Sequence, residues 1–164
     1  MIRLFSLLLS GLVLTTTAKA DLLVTFRDGA PKDRFVLRHD GGCALERVEV
    51  IIDLSPAPAG LIFDITAQGA GVEVFQPFEI VSGADLLLRS PEVRDGDTSL
   101  VLALERLTPG AEVAFTIDVD DTLSSRGITV SGSEMAGAVV RLDGVSARFD
   151  ERAEARLPLT GCLS

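Results

Sequence analysis

Apolar residues in this chain recur at every second position, in short runs broken by turn formers, and that period is the strongest constraint on its fold. From Arg47 to Leu54, Val48, Val50, Ile52 and Leu54 fall on one side, with Glu49, Ile51 and Asp53 on the other. From Glu112 to Asp120, Val113, Phe115, Ile117 and Val119 point one way. A two-residue period is that of a strand with one face buried. Shorter runs of the same kind occur at Val24–Phe26, Arg34–Arg38, Leu61–Thr66, Val72–Phe75, Phe78–Val81, Ser99–Leu104, Gly127–Val130, Ala138–Leu142 and Val145–Phe149. Asp-Gly pairs at positions 28, 40, 95 and 143 supply the backbone freedom that tight β turns need. Pro77 breaks its run and marks an edge strand or a bulge, because proline cannot donate to a central ladder. Helical periodicity is confined to Asp85–Leu88 and Phe149–Ala155, both short. Eight or more strands with frequent turns predict an all-β chain folded as a single antiparallel β-sandwich, immunoglobulin-like in topology. A jelly roll or small barrel is the alternative.

The first twenty residues read differently. One positive charge at Arg3 precedes an apolar run from Leu4 to Leu14, and the stretch ends Ala18-Lys19-Ala20. This is the pattern of a secretory signal peptide over residues 1–20, cleaved before Asp21, and the run is short for a bilayer span. The expectation is therefore a periplasmic or secreted protein, not inserted in the membrane after cleavage, with residues 21–164 forming one domain. The formal net charge of −9 becomes more negative once Arg3 and Lys19 are removed. Such a surface repels nucleic acid and anionic lipid and attracts cations or basic partners. Oligomeric state is not legible.

Cys43 and Cys162 are the two cysteines. An even count in an oxidising compartment predicts a structural disulfide tying the C-terminus to the second strand region, and no Cys-x-x-Cys spacing favours redox chemistry.

Groups for catalysis are few. His39 is the sole histidine, and Arg38-His39-Asp40 reads as a solvated turn flank. Ser131 lacks the Gly-x-Ser-x-Gly spacing of a nucleophile elbow. Zinc, phosphate-loop and dinucleotide patterns are absent, so the chain is expected not to be an enzyme. The densest chemistry is Phe115-Thr116-Ile117-Asp118-Val119-Asp120-Asp121-Thr122. Strand alternation puts Asp118 and Asp120 on one face, and Asp121 crowds a third carboxylate against them. Calcium, which takes many hard oxygens in loose geometry, suits such a place. Glu134 joins the candidate ligand set if the following loop folds back. Asp95-Gly96-Asp97 is a lesser candidate for which a turn suffices. Paired carboxylates also serve glycoside hydrolysis, which makes a carboxylate-based glycan hydrolase the least favoured of three readings.

Four stretches carry a resemblance: Gly60–Thr66, Gly71–Glu79, Phe115–Thr122 and Ile128–Ala138. Together they resemble small exported proteins of marine alphaproteobacteria related to the aggregation-factor core, a name taken from the large extracellular adhesion proteoglycans of sponges. The resemblance covers roughly residues 21–149. It implies a secreted β-rich adhesion-type module, the sponge assemblies working with calcium, and it brings no catalytic residues. Asp118, Asp120, Asp121 and Glu134 are the matching positions at which an acidic calcium site is sought. The expected function is thus an exported, non-enzymatic interaction module in adhesion or extracellular-matrix assembly, with a protein or glycan partner at the cell surface or matrix. A periplasmic small-ligand or cation-binding protein is the alternative.

Overall fold

A computed structural model describes residues 22–66, 76–123 and 130–159. The expected signal peptide, the Val72–Phe75 run, most of Gly127–Val130 and Cys162 lie outside the described residues.

The chain is all-β. Ten strands are described: β1 Leu22–Arg27, β2 Asp33–His39, β3 Leu45–Asp53, β4 Leu61–Asp64, β5 Glu79–Ser82, β6 Ser99–Leu107, β7 Glu112–Asp121, β8 Val139–Leu142, β9 Val145–Arg148 and β10 Glu154–Leu157. They form two antiparallel sheets that pack face to face as a β-sandwich. One runs β10-β1-β2-β7-β4, with β5 also on β7; the other runs β6-β3-β8-β9. Pairing β2 with β7 and β3 with β6 carries the chain from sheet to sheet, a wiring that immunoglobulin-like and jelly-roll sandwiches share.

The alternation read from the sequence decides what faces inward. Val48, Val50, Ile52 and Leu54 are buried from β3, and Val113, Phe115, Ile117 and Val119 from β7. Phe26, Phe35 and Phe115 are register partners on three adjacent strands, so their rings meet. Phe35 stacks on Phe115 at 5.1 Å and meets Phe26 edge-on at 5.1 Å, with Phe63 tilted against it at 6.5 Å. Residues from Leu22 to Leu159 contribute to this one core.

Two features shape the sheet edges. β4 and β5 share the outer edge of β7, β5 along Ala114–Thr116 and β4 along Asp118–Asp121. The β5 register shifts between Ile80 and Ser82, and Pro77 lies just before the strand, outside its ladder. On the other sheet, Leu88 donates to the Ala103 carbonyl at 2.8 Å and Leu87 bridges Leu104, so this segment covers part of the edge of β6.

Two short segments take definite form, and one local expectation is corrected. Asp85–Leu88 forms only a single 3-10 turn, Ala84–Leu86. Phe149–Ala155 is not helical: Asp150 Oδ1 accepts the Arg152 and Glu154 amides at 2.9 and 3.0 Å, Ala153 takes a φ of 55°, and β10 follows. A helix there would have left Ala155 and Leu157 outside the core, where both are in fact buried. Nor is His39 solvated. It is 1% exposed because it continues the inward set of Phe35 and Leu37 along β2.

Candidate cation site

The acidic end of β7 is built by register. Asp118 and Asp120 project from the face opposite Ile117 and Val119, and β4 lies alongside with Asp64 directly across from Asp118 and Ile62 across from Asp120. Three carboxylates therefore share one face. Asp121 falls on the other parity, opposite Leu61. Its amide donates to Asp120 Oδ1 at 2.8 Å.

The approach of β4 depends on Gly60, which has a φ of 68°. Its carbonyl accepts both the Thr122 amide at 3.1 Å and the Thr122 hydroxyl at 2.8 Å. A Cβ at position 60 would stand 2.7 Å from that hydroxyl, so only glycine lets the two strands meet here.

A fourth carboxylate comes from the loop that precedes β6. Phe63 donates to the Asp97 carbonyl at 2.8 Å, and Gly96 donates to the Phe63 carbonyl at 2.9 Å. Asp95 Oδ1 accepts the Ile65 amide at 3.1 Å, and Asp97 Oδ2 closes the turn by accepting the Arg94 amide at 2.7 Å. Asp97 thus does what a turn residue does. Asp95 does more, since it lies against Asp64.

Asp64 is the unexpected member. Its side chain is fully buried, and neither carboxyl oxygen has a partner at hydrogen-bonding geometry. The Asp95 carboxyl and the Thr66 amide are the polar groups that bear most directly on it, the first favouring its protonated form and the second its charge. Burial, then Asp95 and Asp120, push the Asp64 carboxyl up to about 6, with the Thr66 amide opposing. Asp118 is half-buried, and burial followed by Asp64 and Asp120 raises it to about 7.

Asp33, at the start of β2, lies on the core side of the same sheet end. Its Oδ2 accepts the Val119 amide at 2.9 Å and its Oδ1 the Gly29 amide at 3.1 Å, so it replaces a missing strand partner for β7. Burial outweighs those two donors, and with Asp118 and Asp28 nearby the carboxyl rises to about 7. Among the described residues, no ion pair involves Asp33, Asp64 or Asp118.

Glu134 is committed elsewhere. Its Oε2 accepts the Ser131 amide and the Ser131 hydroxyl, both at 2.7 Å, closing its own turn. Ser-x-x-Glu is the spacing of a capping box, a signal present in the sequence. As the side chains stand, no three acidic, histidine or cysteine groups among the described residues already converge at metal-ligand spacing. The donor set at the sheet end is oxygen throughout, which is the chemistry of a hard cation and not of zinc or copper.

His39 is walled into the core end of β2, where its Nε2 donates to the Cys43 carbonyl at 2.6 Å. Cys43 is not a free thiol. None of the described helical turns is long and apolar enough to cross a membrane.

Fold and site together define an all-β sandwich with a carboxylate-rich end assembled from β4, β7 and the loop that crosses them. No family model matches the chain, and no curated protein matches it.

Proposed function

We propose that this is an exported, non-enzymatic interaction module, stabilised by calcium at the acidic end of β7 and acting in adhesion or extracellular-matrix assembly. The observation that carries the reading is the crowding of Asp118 and Asp120 with further carboxylates at one sheet end, in a domain whose core is mostly apolar. Like charges held this close are costly unless a cation or protons offset them. In an exported protein facing millimolar calcium, the cation is the available answer. The burial of His39 supports the non-enzymatic part, because the sole histidine is bonded inside the core and out of a substrate's reach. The resemblance to aggregation-factor-core-like proteins supports adhesion, with a protein or glycan at the cell surface or matrix as the partner.

Two experiments test the parts. Beads carrying residues 21–164 are expected to clump, or to bind the producing cells, in millimolar calcium and to disperse in EDTA. Calcium that raises the unfolding midpoint without any clumping or cell binding would favour the cation-binding alternative instead. The rise itself should be several degrees, since saturation at a hundred times the dissociation constant adds about 2.7 kcal/mol and each kcal/mol moves a domain of this size by roughly 3–6 °C. Magnesium serves as the control.

The export reading includes a disulfide between Cys43 and Cys162. Peptide mapping without reductant is expected to recover the two cysteines linked, and a count of two free thiols in the folded protein would reject the bond.

A further inference from the structure

We propose that Asp64, Asp95, Asp118 and Asp120 form a calcium site that clamps the loop at residues 94–97 onto β4 and β7. The proposal rests on the calcium part of the reading above and replaces its ligand set. Asp121 and Glu134 leave; Asp64 and Asp95 enter.

The argument begins with Asp64, a fully buried carboxyl whose two oxygens have no hydrogen-bonding partner. Native interiors rarely leave such a group unsatisfied, because an ionised carboxylate loses its hydration and gains nothing in return. The position is not one where aspartate merely fills space. It lies directly across from Asp118, one register step from Asp120, and beside Asp95. A divalent cation supplies the missing partner for Asp64 and offsets the repulsion among the other three at once.

Two backbone bonds and one from the Ile65 amide to the Asp95 side chain hold the members in place. The loop is pinned to β4 on both sides of Asp64, through Phe63 to Asp97 and Gly96 and through Ile65 to Asp95. Register fixes β4 against β7. What remains adjustable is the side chains of Asp64, Asp118 and Asp120 and the second oxygen of Asp95, which do not converge at ligand spacing as they stand. That favours calcium, which accepts six to eight oxygens in flexible geometry, over magnesium, which demands a near-ideal octahedron. The ion would join three segments distant in sequence, so its effect reaches the β5–β6 connection as well as the sheet end.

Calorimetric titration of the EDTA-treated, dialysed protein with calcium tests the site. The wild type is expected to bind one calcium per chain. Asp64→Asn should weaken binding on the order of 10–100-fold or more, and its unfolding midpoint in EDTA should equal or exceed that of the wild type, because a buried charge is removed. Asp121→Asn and Glu134→Gln should bind within a few-fold of the wild type. Asp95→Asn, which keeps an acceptor for the Ile65 amide, serves as the second variant and should also lose affinity. Wild-type affinity in both Asp64→Asn and Asp95→Asn overturns the site, and so does loss confined to Asp121→Asn or Glu134→Gln. A wild-type protein that takes up no calcium overturns it together with the calcium part of the earlier reading. Beads that fail to clump while Asp64→Asn abolishes calcium binding overturn adhesion and leave the site standing.

Discussion

Phe35→Ala is expected to cost about 3–5 kcal/mol, the range for truncating a large aromatic in a packed core. Phe35 is fully buried and meets three other rings, Phe26 and Phe115 at 5.1 Å and Phe63 at 6.5 Å, which come from β1, β7 and β4. Removing it opens a void that four strands line, and none can close it without breaking the register that aligns Phe26, Phe35 and Phe115. Native domains hold roughly 5–15 kcal/mol in all, so about a fifth or more of the stability goes with this one ring. The unfolding midpoint should drop by roughly 10–20 °C, measured by urea titration and by calorimetry. Phe35→Leu keeps most of the volume and should cost far less, about 1–1.5 kcal/mol. A loss below about 1 kcal/mol for Phe35→Ala would mean that the ring cluster is not the hub of the core.

The same strands show what a sequence reveals and where it stops. β3 and β7 are legible because every second residue is apolar over seven positions, from Val48 to Leu54 and from Val113 to Val119, and all eight of these side chains are buried; the parity breaks at Arg47, which has a φ of 48°, and burial at the end of β7 extends to Asp120 and Asp121. β10 was not legible. Asp150-Glu151-Arg152-Ala153-Glu154 has the composition of a helix, and the Asp150 side chain accepting the Arg152 and Glu154 amides, together with backbone bonds between Asp150 and Glu154 and from Ala153 to Asp150, turns it into a tight corner. The charged neighbours of His39 suggest a solvated flank, but its parity with Phe35 and Leu37 points inward.

The acidic site divides along the same line. Asp118 and Asp120 follow from alternation within one strand. Asp64 stands in a run, Leu61-Ile62-Phe63-Asp64, whose polar end looked like the margin of a strand; its facing partner is set by β4–β7 register, a long-range fact. Asp95 sits in a turn that its own Asp-Gly explains, and only the packing of that turn on β4 brings it to Asp64. Glu134 reaches the cluster only if its loop folds back, and Ser131 three residues earlier supplies its partner instead.

Without divalent cations, the protein should be most stable at mildly acidic pH and should weaken as pH rises towards 7. Asp33 has the clearest sign. Its carboxyl is raised from 3.8 to about 7 in the folded state, so between those values the folded chain holds a proton that the unfolded chain has released. Stability falls with pH wherever the folded state binds more protons. The contribution is therefore fully present below about pH 4, is lost as pH rises through about 7, and changes little above that. A shift of about three units corresponds to at most roughly 4 kcal/mol. Asp64 at about 6 and Asp118 at about 7 act in the same direction. Asp53 and Asp150 oppose them: burial pushes each up, but hydrogen bonds from Ser55 and Arg141, and from Glu154 and Arg152, leave both below the usual range. What they contribute is lost as pH falls through their lowered folded values, which sets the acid limb. Urea midpoints in EDTA should thus be higher at pH 5 than at pH 8, and Asp33→Asn should flatten the slope by the share of that one carboxyl. Calcium at saturation should flatten it further, because a bound cation holds carboxylates ionised that would otherwise keep their protons. A midpoint in EDTA that stays level or climbs from pH 5 to pH 8 would mean that water reaches these carboxyls in solution, and the buried acidic end would lose its physical basis.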